Sequence, residues 1–169
     1  MNTLDCILSR RSVRTYQAGK QVAPADLQVI LQAGLNAPSA MNKQPWEFVV
    51  ITDKKILENI TQIHPYAAFL PDAGCGIIVC VNTQKQFENY GTTDVGLAAQ
   101  NIMLAATDMG YGTCYCGIAA SEERIAAFQS FCKIPDFVIP MGIIALGVPA
   151  QKQEKVNREN PKALHYNTW

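Results

Sequence analysis

Three of the chain's five arginines lie within five residues near its start, in the run Arg10-Arg11-Ser12-Val13-Arg14. Guanidinium groups bind phosphate oxygens through charge-assisted hydrogen bonds that are often paired. The hydroxyl of Ser12 and free backbone N–H groups add further donors. The cluster therefore predicts a local phosphate receptor. The alternative that charge alone leaves open is a solvated basic turn.

A second polar cluster, APSAMNKQPW at residues 37–46, lies between a predicted helix and a predicted strand. Its two prolines restrict the backbone. Ser39, Asn42 and Gln44 offer hydrogen-bond donors and acceptors on that restricted backbone. Such a loop is suited to bind the edge of a planar heterocycle. The competing interpretation is a turn whose polar side chains satisfy their own backbone.

In this order and spacing, the two clusters resemble the FMN-dependent nitroreductase family. The family's central helix and the strand after it are similar to Asp94-x-Gly96-x-Ala98-x-x-Asn101-x-x-Leu104-Ala105-Ala106 and to Gly110-Tyr111-Gly112-Thr113-Cys114. Its C-terminal strand and extension are similar to Gly147-x-Pro149, Arg158 and His165-Tyr166. The resemblance covers nearly the whole chain.

The resemblance implies FMN as the bound cofactor and assigns roles to the arginines. Arg10 and Ser12 match residues that contact the FMN phosphate and ribityl chain, and Arg11 contributes further donors. Arg158 matches a residue of the C-terminal extension that pairs with the phosphate. Arg14 matches a basic position near the N1–C2 carbonyl edge of the flavin, where a cation stabilises the anionic reduced ring.

The resemblance also implies a site shared between two chains. Pro38, Ser39 and Asn42 match a loop that reaches the flavin from the other subunit of a homodimer, with Gln44 a weaker member. Gly117 matches a backbone position near flavin N5, and Cys116 precedes it. We expect Cys116 to be a buried, inert thiol, because no second cysteine lies at a redox-motif spacing from it.

The implied activity is hydride transfer from NADH or NADPH, through the flavin, to a nitroaromatic, quinone or similar acceptor. The flavin carries this chemistry, so no catalytic side chain is named. Two alternatives stay open. One is a non-enzymatic flavin carrier or sensor, and the other is a relative on the same fold that fragments its flavin or dehalogenates an aromatic compound.

Other chemical motifs are missing from the sequence. It contains neither a phosphate-binding G-x-x-x-x-G-K-[ST] nor a G-x-S-x-G nucleophile motif. The two histidines, His64 and His165, lack a ligand-like spacing and are interpreted as surface or packing residues. The six cysteines include no C-x-x-C pair and are interpreted mainly as small buried thiols. We therefore predict no metal site.

The periodicity of apolar residues places these motifs on alternating elements. Helices are predicted over Thr3–Arg10, from Pro24 to before Pro38, over Asp53–His64, over Thr93–Met109, and from a cap at Ser121 to Cys132. Strands are predicted over Trp46–Thr52, Gly76–Val81, Gly112–Ile118 and Val138–Gly147. Interspersed strands and helices leave α/β and α+β open. The resemblance implies an α+β fold, with a central mixed, mainly antiparallel sheet flanked by helices, in an intertwined homodimer.

Composition limits the remaining possibilities. Hydrophobic residues make up 49% of the 169-residue chain, which is enough for a core and excludes wholesale disorder. The formal net charge is zero, so we expect neither nucleic acid nor an anionic membrane as a partner. No apolar stretch approaches the ~20 residues of a spanning helix. We expect one cytoplasmic domain over residues 1–169, with residues 149–169 as an extension that wraps the partner subunit.

Overall fold

The computed structural model describes residues 2–153 and 156–169. Within them the helices are α1 (Thr3–Ser9), α2 (Pro24–Leu35), α3 (Lys54–Ile63), α4 (Leu70–Ala73), α5 (Gly91–Asp108) and α6 (Glu122–Cys132). The strands are β1 (Trp46–Ile51), β2 (Cys75–Asn82), β3 (Gly112–Gly117) and β4 (Val138–Gly147). Single 3-10 turns lie at Ala40–Asn42, Pro65–Ala67 and Pro161–Ala163.

The four strands form one sheet in the order β1-β2-β4-β3, and every neighbouring pair is antiparallel. A β-bulge between Val79 and Cys80 shifts the register of β2 against β4. An isolated parallel bridge joins Ser12 to Thr113 at the β3 edge of the sheet. The predicted α+β fold with a mainly antiparallel sheet is therefore confirmed, and its parallel part is this single bridge.

Helices cover both faces of the sheet, as the uninterrupted apolar run in β2 predicts. All eight residues of β2 are buried. Because successive side chains of a strand point to opposite faces, Ile78 joins the core layer that includes Leu57 of α3 and Phe128 of α6. Its neighbour Ile77 joins the layer that includes residues of α2 and α5. The sheet is thus a rigid platform between two helical layers.

Local sequence signals set most helix boundaries. The Asp53 carboxylate accepts a hydrogen bond from the Ile56 N–H at 2.9 Å and caps α3. Ser121 caps α6 in the same way, through the Arg124 N–H at 3.3 Å. Gly110 follows α5 with a φ of 85°, a left-handed conformation that favours glycine. These local signals fix where α3 and α6 begin and where α5 ends.

Several details of the predicted elements differ from the structure. Helix α1 ends at Ser9, and its apolar residues Leu4, Ile7 and Leu8 are exposed despite their helical spacing, while Cys6 is its buried residue. Leu35, at the end of α2, is exposed as well. Helix α5 begins two residues early, at Gly91, and the four-residue helix α4 is too short to produce a periodic signal. The exposed leucines mark apolar surface that the single chain leaves uncovered.

The C-terminal segment runs over the outside of the domain. Its apolar residues Leu164, Tyr166 and Trp169 are exposed, and Trp169 is fully so. Trp169 stacks on His165, with ring centroids 4.3 Å apart. Docking of this segment on a partner subunit stays a prediction.

Candidate functional site

The N-terminal arm that carries the arginine cluster is fixed along the edge of the sheet. The Val13 N–H donates to the Thr113 carbonyl at 2.8 Å, beside the Ser12–Thr113 bridge. Close approach requires glycine at position 112, because a Cβ there would lie 2.8 Å from the Val13 side chain. Further along the arm, Tyr16 bridges to Pro149 after β4. The arm is therefore held at a set distance from β3.

Three arginines from the two ends of the chain line one cavity of about 550 Å³. They are Arg10 and Arg11 from the end of α1 and Arg158 from the C-terminal segment. One carboxylate, that of Glu159, also lines it, so the lining carries a net positive charge. Ser12 lies outside this lining, and its backbone pairs with Thr113 instead. The charge of this lining would favour an anion.

Arg11 also ties the two ends of the chain together. Its guanidinium donates to the carbonyl oxygens of Leu8 at 2.9 Å, Arg10 at 2.7 Å and Val156 at 3.3 Å. Its Nε is buried and has no hydrogen-bond partner among the described residues. A buried N–H without a hydrogen-bond partner costs free energy. Arg11 also lines the positively charged cavity, where a bound anion could accept this hydrogen bond.

A second cavity, of about 340 Å³, brings Arg14 together with the end of β3. Its lining includes Cys116 and Gly117, both predicted, and four residues that the sequence motifs did not indicate: His64, Tyr66, Cys114 and Tyr115. Arg14 and Gly117 are exposed, whereas Cys116 is buried. Two predicted parts of the site therefore meet here without a second chain.

Two donors hold the carbonyl oxygen of Gly117. The Arg124 guanidinium donates to it at 2.8 Å, and His64 Nε2 lies 3.1 Å from it. The Arg124 guanidinium also lies 6.0 Å from the ring centroid of Tyr66, within cation–π range. The next peptide N–H, of Ile118, donates to the Met141 carbonyl at 2.9 Å. The backbone at Gly117 is therefore fixed although it lies on the surface.

His64 is a buried, neutral donor in this arrangement. Because a carbonyl can only accept, the proton sits on Nε2. Nδ1 is buried without a partner among the described residues. Burial lowers the pKa of His64, and the Arg124 charge lowers it further, against the opposing effect of the Gly117 hydrogen bond. The interpretation of His64 as a packing residue thus missed its contact with the cavity.

Cys114 and Cys116 lie on one face of β3, where the Cys116 thiol donates to the Tyr66 carbonyl at 3.7 Å and the Cys114 thiol to the Tyr115 carbonyl at 4.0 Å. The interaction with the neighbouring Cys116 side chain lowers the pKa of Cys114, and the nearby charges of Arg14 and Arg10 lower it further against the effect of burial. The same interaction, together with burial, raises the pKa of Cys116. The expectation of an inert thiol at Cys116 agrees with this direction, whereas the acidic partner at Cys114 was missed.

The loop between α2 and β1 has a strained, well-bonded backbone. Met41, Asn42 and Gln44 all have positive φ values, of 50°, 53° and 49°. The Ser39 hydroxyl accepts from the Gln44 N–H at 2.9 Å, and the Gln44 side chain donates to the Asn42 side-chain oxygen at 3.2 Å. Left-handed conformations at non-glycine residues are costly and persist where surrounding contacts impose them.

Asp94, at the start of α5, is one such contact. Its Oδ1 accepts from the Ala40 N–H at 3.0 Å, while its Oδ2 is buried without a partner among the described residues. The loop residues Pro38, Ser39, Asn42 and Gln44 line neither of the two arginine cavities. A single chain therefore does not bring the loop to the arginine cluster.

Comparison with known proteins identifies the fold and the family. The sequence model of the Nitroreductase family matches residues 7–68 and 62–148. The chain belongs to the nitroreductase family. A relative from Methanothermobacter thermautotrophicus, provisionally named NADH dehydrogenase/NAD(P)H nitroreductase, is 35% identical over 100% of this chain and 88% of its own length.

Two solved nitroreductase-fold structures show what relatives of this chain bind. An FMN-dependent nitroreductase from Clostridium difficile has a TM-score of 0.91 and 26% identity, over 98% of this chain and 99% of its own. The NADPH:FMN oxidoreductase from Vibrio harveyi, solved with NAD+, has a TM-score of 0.88 and 27% identity, over 100% of this chain and 78% of its own.

In this member of the family, the sequence motifs identified the arginines that line the two cavities but missed the residues that fix the backbone around them. Arg124 is one of only five arginines and follows Gly117 by seven residues, so its rarity was an available signal. The burial of His64 and the contact of Asp94 with Ala40 depend on tertiary packing and left no local pattern. Among residues 2–153 and 156–169, no group of three or more His, Cys, Asp or Glu side chains is placed to hold a metal ion.

In the described part of the chain, no helix is both long and apolar enough to cross a membrane.

Proposed function

We propose that this member of the nitroreductase family is a homodimeric, cytoplasmic FMN-dependent oxidoreductase. It takes hydride from NADH or NADPH and passes it to a nitroaromatic, quinone or similar acceptor. The cavity lined by Arg10, Arg11 and Arg158 is the observation that carries this proposal. The FMN-dependent and NAD+-bound relatives support the choice of cofactor and donor.

The arginine cavity fits the phosphate of FMN. A phosphate monoester offers several acceptor oxygens and negative charge, which three guanidinium groups match. The buried, unpartnered Nε of Arg11 supplies a donor in need of an acceptor. In this proposal Arg10 and Arg158 hold the phosphate, Arg11 joins them, and Ser12 offers its hydroxyl to the phosphate or ribityl chain.

The surface at Gly117 fits a flat ring. A Cβ at this position would meet nothing within 4 Å, and its φ is not in the left-handed range. Neither space nor backbone conformation within the chain therefore requires glycine here, which leaves room for a planar group against the backbone. We assign Arg14, Cys116 and Gly117 to the ring-binding part of the site.

Bound FMN supplies two-electron hydride chemistry at its N5 atom. The residues of this chain bind, orient and adjust charge. Arg14 places a positive charge beside the second cavity, where it favours anionic groups. Arg124 and His64 fix the Gly117 backbone by holding its carbonyl oxygen, so the surface offered to the ring does not shift.

We assign the loop residues Pro38, Ser39, Asn42 and Gln44 to the site of the partner subunit. Their absence from both arginine cavities supports this assignment. Exposed apolar side chains at Leu8 of α1 and Leu97 of α5 supply surface for a dimer. Residues 1–169 form one domain in this proposal, and residues 149–169 extend over the partner.

Identification of the released flavin tests the cofactor assignment. The purified protein is expected to be yellow, and heat denaturation is expected to release FMN, identified chromatographically against FMN, FAD and riboflavin standards. A colourless protein that fails to bind added FMN in a fluorescence titration would contradict the proposal. Bound riboflavin without phosphate would contradict the role of the arginine cavity.

A further inference from the structure

Two aromatic side chains lie next to each other on the segment between β2 and α5. Phe87 and Tyr90, the aromatic pair, have ring centroids 6.3 Å apart and ring planes inclined by 24°, within the range of interacting aromatic rings. Phe87 is half-buried and Tyr90 is 50% exposed, so both rings keep accessible surface. Neither residue lines one of the two arginine cavities. The aromatic pair is therefore separate from the residues that a single chain offers to the flavin.

Hydrogen bonds fix the backbone that carries the aromatic pair. The Tyr90 N–H donates to the Phe87 carbonyl at 3.1 Å, which closes a tight turn between the two residues. Within this turn, Glu88 has a φ of 45°, a left-handed conformation that surrounding contacts must impose. The Tyr90 carbonyl accepts from the Asp94 N–H at 2.9 Å in the first turn of α5. The two rings therefore project from a backbone that is held in place.

Both ends of this segment are joined to the loop between α2 and β1. The Asn82 N–H, at the end of β2, donates to the Pro45 carbonyl at 2.7 Å, at the end of the loop. The Asp94 carboxylate, in the first turn of α5, accepts from the Ala40 N–H near the start of the loop at 3.0 Å. Because both of their ends are joined, the aromatic pair and the loop lie close together at the N-terminal end of α5.

The charges of the loop and the segment balance each other. Lys85 is paired with Glu47 at 2.6 Å. The loop and the segment otherwise contain one exposed cation, Lys43, and one exposed anion, Glu88. A surface with aromatic rings and no net charge favours a flat, uncharged ligand over a phosphate-bearing one.

We propose that the aromatic pair binds the ring of a planar, uncharged electron acceptor, a quinone or nitroaromatic, beside the flavin of the partner subunit. This inference rests on the proposed function, in which the loop between α2 and β1 reaches that flavin. Because the aromatic pair is joined to the loop, it reaches the same flavin. A flat ring stacked on Phe87 or Tyr90 gains contact area that a non-planar acceptor lacks, so the pair selects acceptors by shape.

Equilibrium binding to the oxidised flavoprotein tests the aromatic pair without turnover. The probe is duroquinone, a planar quinone whose substituted ring carbons resist addition of thiols. It is titrated into the FMN-loaded dimer without donor and followed by calorimetry. Tyr90→Leu keeps an apolar side chain but removes the ring, and it should weaken binding about threefold to tenfold. Tyr90→Phe keeps the ring and should bind as the unaltered chain does. Equal affinities for these two variants would overturn the proposal.

Two further variants complete the binding test. Phe87→Leu should weaken duroquinone binding in the same direction, and it decides the proposal if Tyr90→Leu does not fold. Phe131→Leu is the matched control, because Phe131 is a 39% exposed aromatic residue of α6 that lines a separate cavity with residues of β1 and α3. This control should bind duroquinone as the unaltered chain does. An equal loss of affinity in Phe131→Leu and Phe87→Leu would overturn the proposal.

Steady-state kinetics separates this inference from the proposed function. The ratio of kcat/KM for duroquinone to kcat/KM for ferricyanide, a non-planar acceptor, should fall about threefold to tenfold in Tyr90→Leu. Flavin that neither NADH nor NADPH bleaches in the unaltered protein would overturn the proposed function and, with it, this inference. Flavin that is bleached, together with an unchanged acceptor ratio in Tyr90→Leu, would overturn this inference alone.

Discussion

Arg11 and Val156 join the two ends of the fold: the Arg11 guanidinium donates to the Val156 carbonyl oxygen at 3.3 Å. The same arginine holds the carbonyl oxygens that end α1. Arg158, two residues beyond Val156, lines the arginine cavity from the C-terminal side. The position of the C-terminal segment therefore decides whether all three arginines line this cavity.

Truncation of the C-terminal segment tests this dependence. Deleting Glu159–Trp169 should lower both flavin occupancy and dimer stability. Flavin occupancy should fall because Arg158 is no longer held in place, and dimer stability should fall because the interface loses apolar surface. An interface with a wrapping segment is expected to bury roughly 2,000 Å² or more, the range of obligate dimers. Sedimentation velocity at submicromolar concentration and the flavin-to-protein absorbance ratio provide the measurements. A truncated chain that stays dimeric with full flavin would show that the segment is dispensable.

Removal of one guanidinium group tests the anion receptor itself. Arg10→Ala should weaken FMN binding about tenfold or more, since a charge-assisted hydrogen bond contributes roughly 1.5–3 kcal/mol. Arg158→Ala should act in the same direction. Lys54→Ala is the control, because Lys54 is an exposed cation paired with Glu58 on α3. Equal FMN affinities for Arg10→Ala and Lys54→Ala in a fluorescence titration would indicate that the cluster is only a basic turn.

Sequence patterns predicted the elements whose burial is complete. The predicted bounds of β4, Val138–Gly147, agree with the structure, because an apolar segment that contains β-branched residues and ends at a glycine is typical of a buried strand. The helical spacing of Leu4 and Leu8 in α1 indicates that they belong to a buried face, but it does not indicate which chain buries them. Burial of His64 arises from contacts with distant residues such as Phe128. No local spacing encodes such a contact.

Asp94 offers a test of how the 38–44 loop is held. Asp94→Ala removes the acceptor of the Ala40 N–H and should destabilise the fold by about 1–3 kcal/mol, because that partly buried donor is left unpaired. Asp94→Asn keeps a carbonyl oxygen for the same bond and should retain most of the stability. Urea unfolding gives the free energies. Equal losses for both variants would show that charge, and not the hydrogen bond to Ala40, holds the loop.

His64 should make stability depend on pH. Its pKa is lowered in the folded state by burial, so below the ordinary value of about 6.5 the unfolded chain binds more protons than the folded one. The free energy of unfolding should therefore fall as pH drops below about 6.5. His64→Gln keeps a neutral donor near the Gly117 carbonyl and should show a smaller fall. His165→Gln, at an exposed position, is the control and should keep the full pH dependence. An unchanged slope in His64→Gln would exclude His64 as the source.

Hydride transfer from the nicotinamide donor is the most direct test of the proposed function. The dimeric protein with bound FMN is mixed anaerobically with NADH or NADPH in a stopped-flow instrument, and the visible flavin absorbance is followed. The proposed oxidoreductase predicts rapid bleaching with at least one donor and recovery of the absorbance when a quinone or nitroaromatic acceptor is added. Flavin that stays oxidised with both donors would contradict the proposal and favour a carrier or sensor.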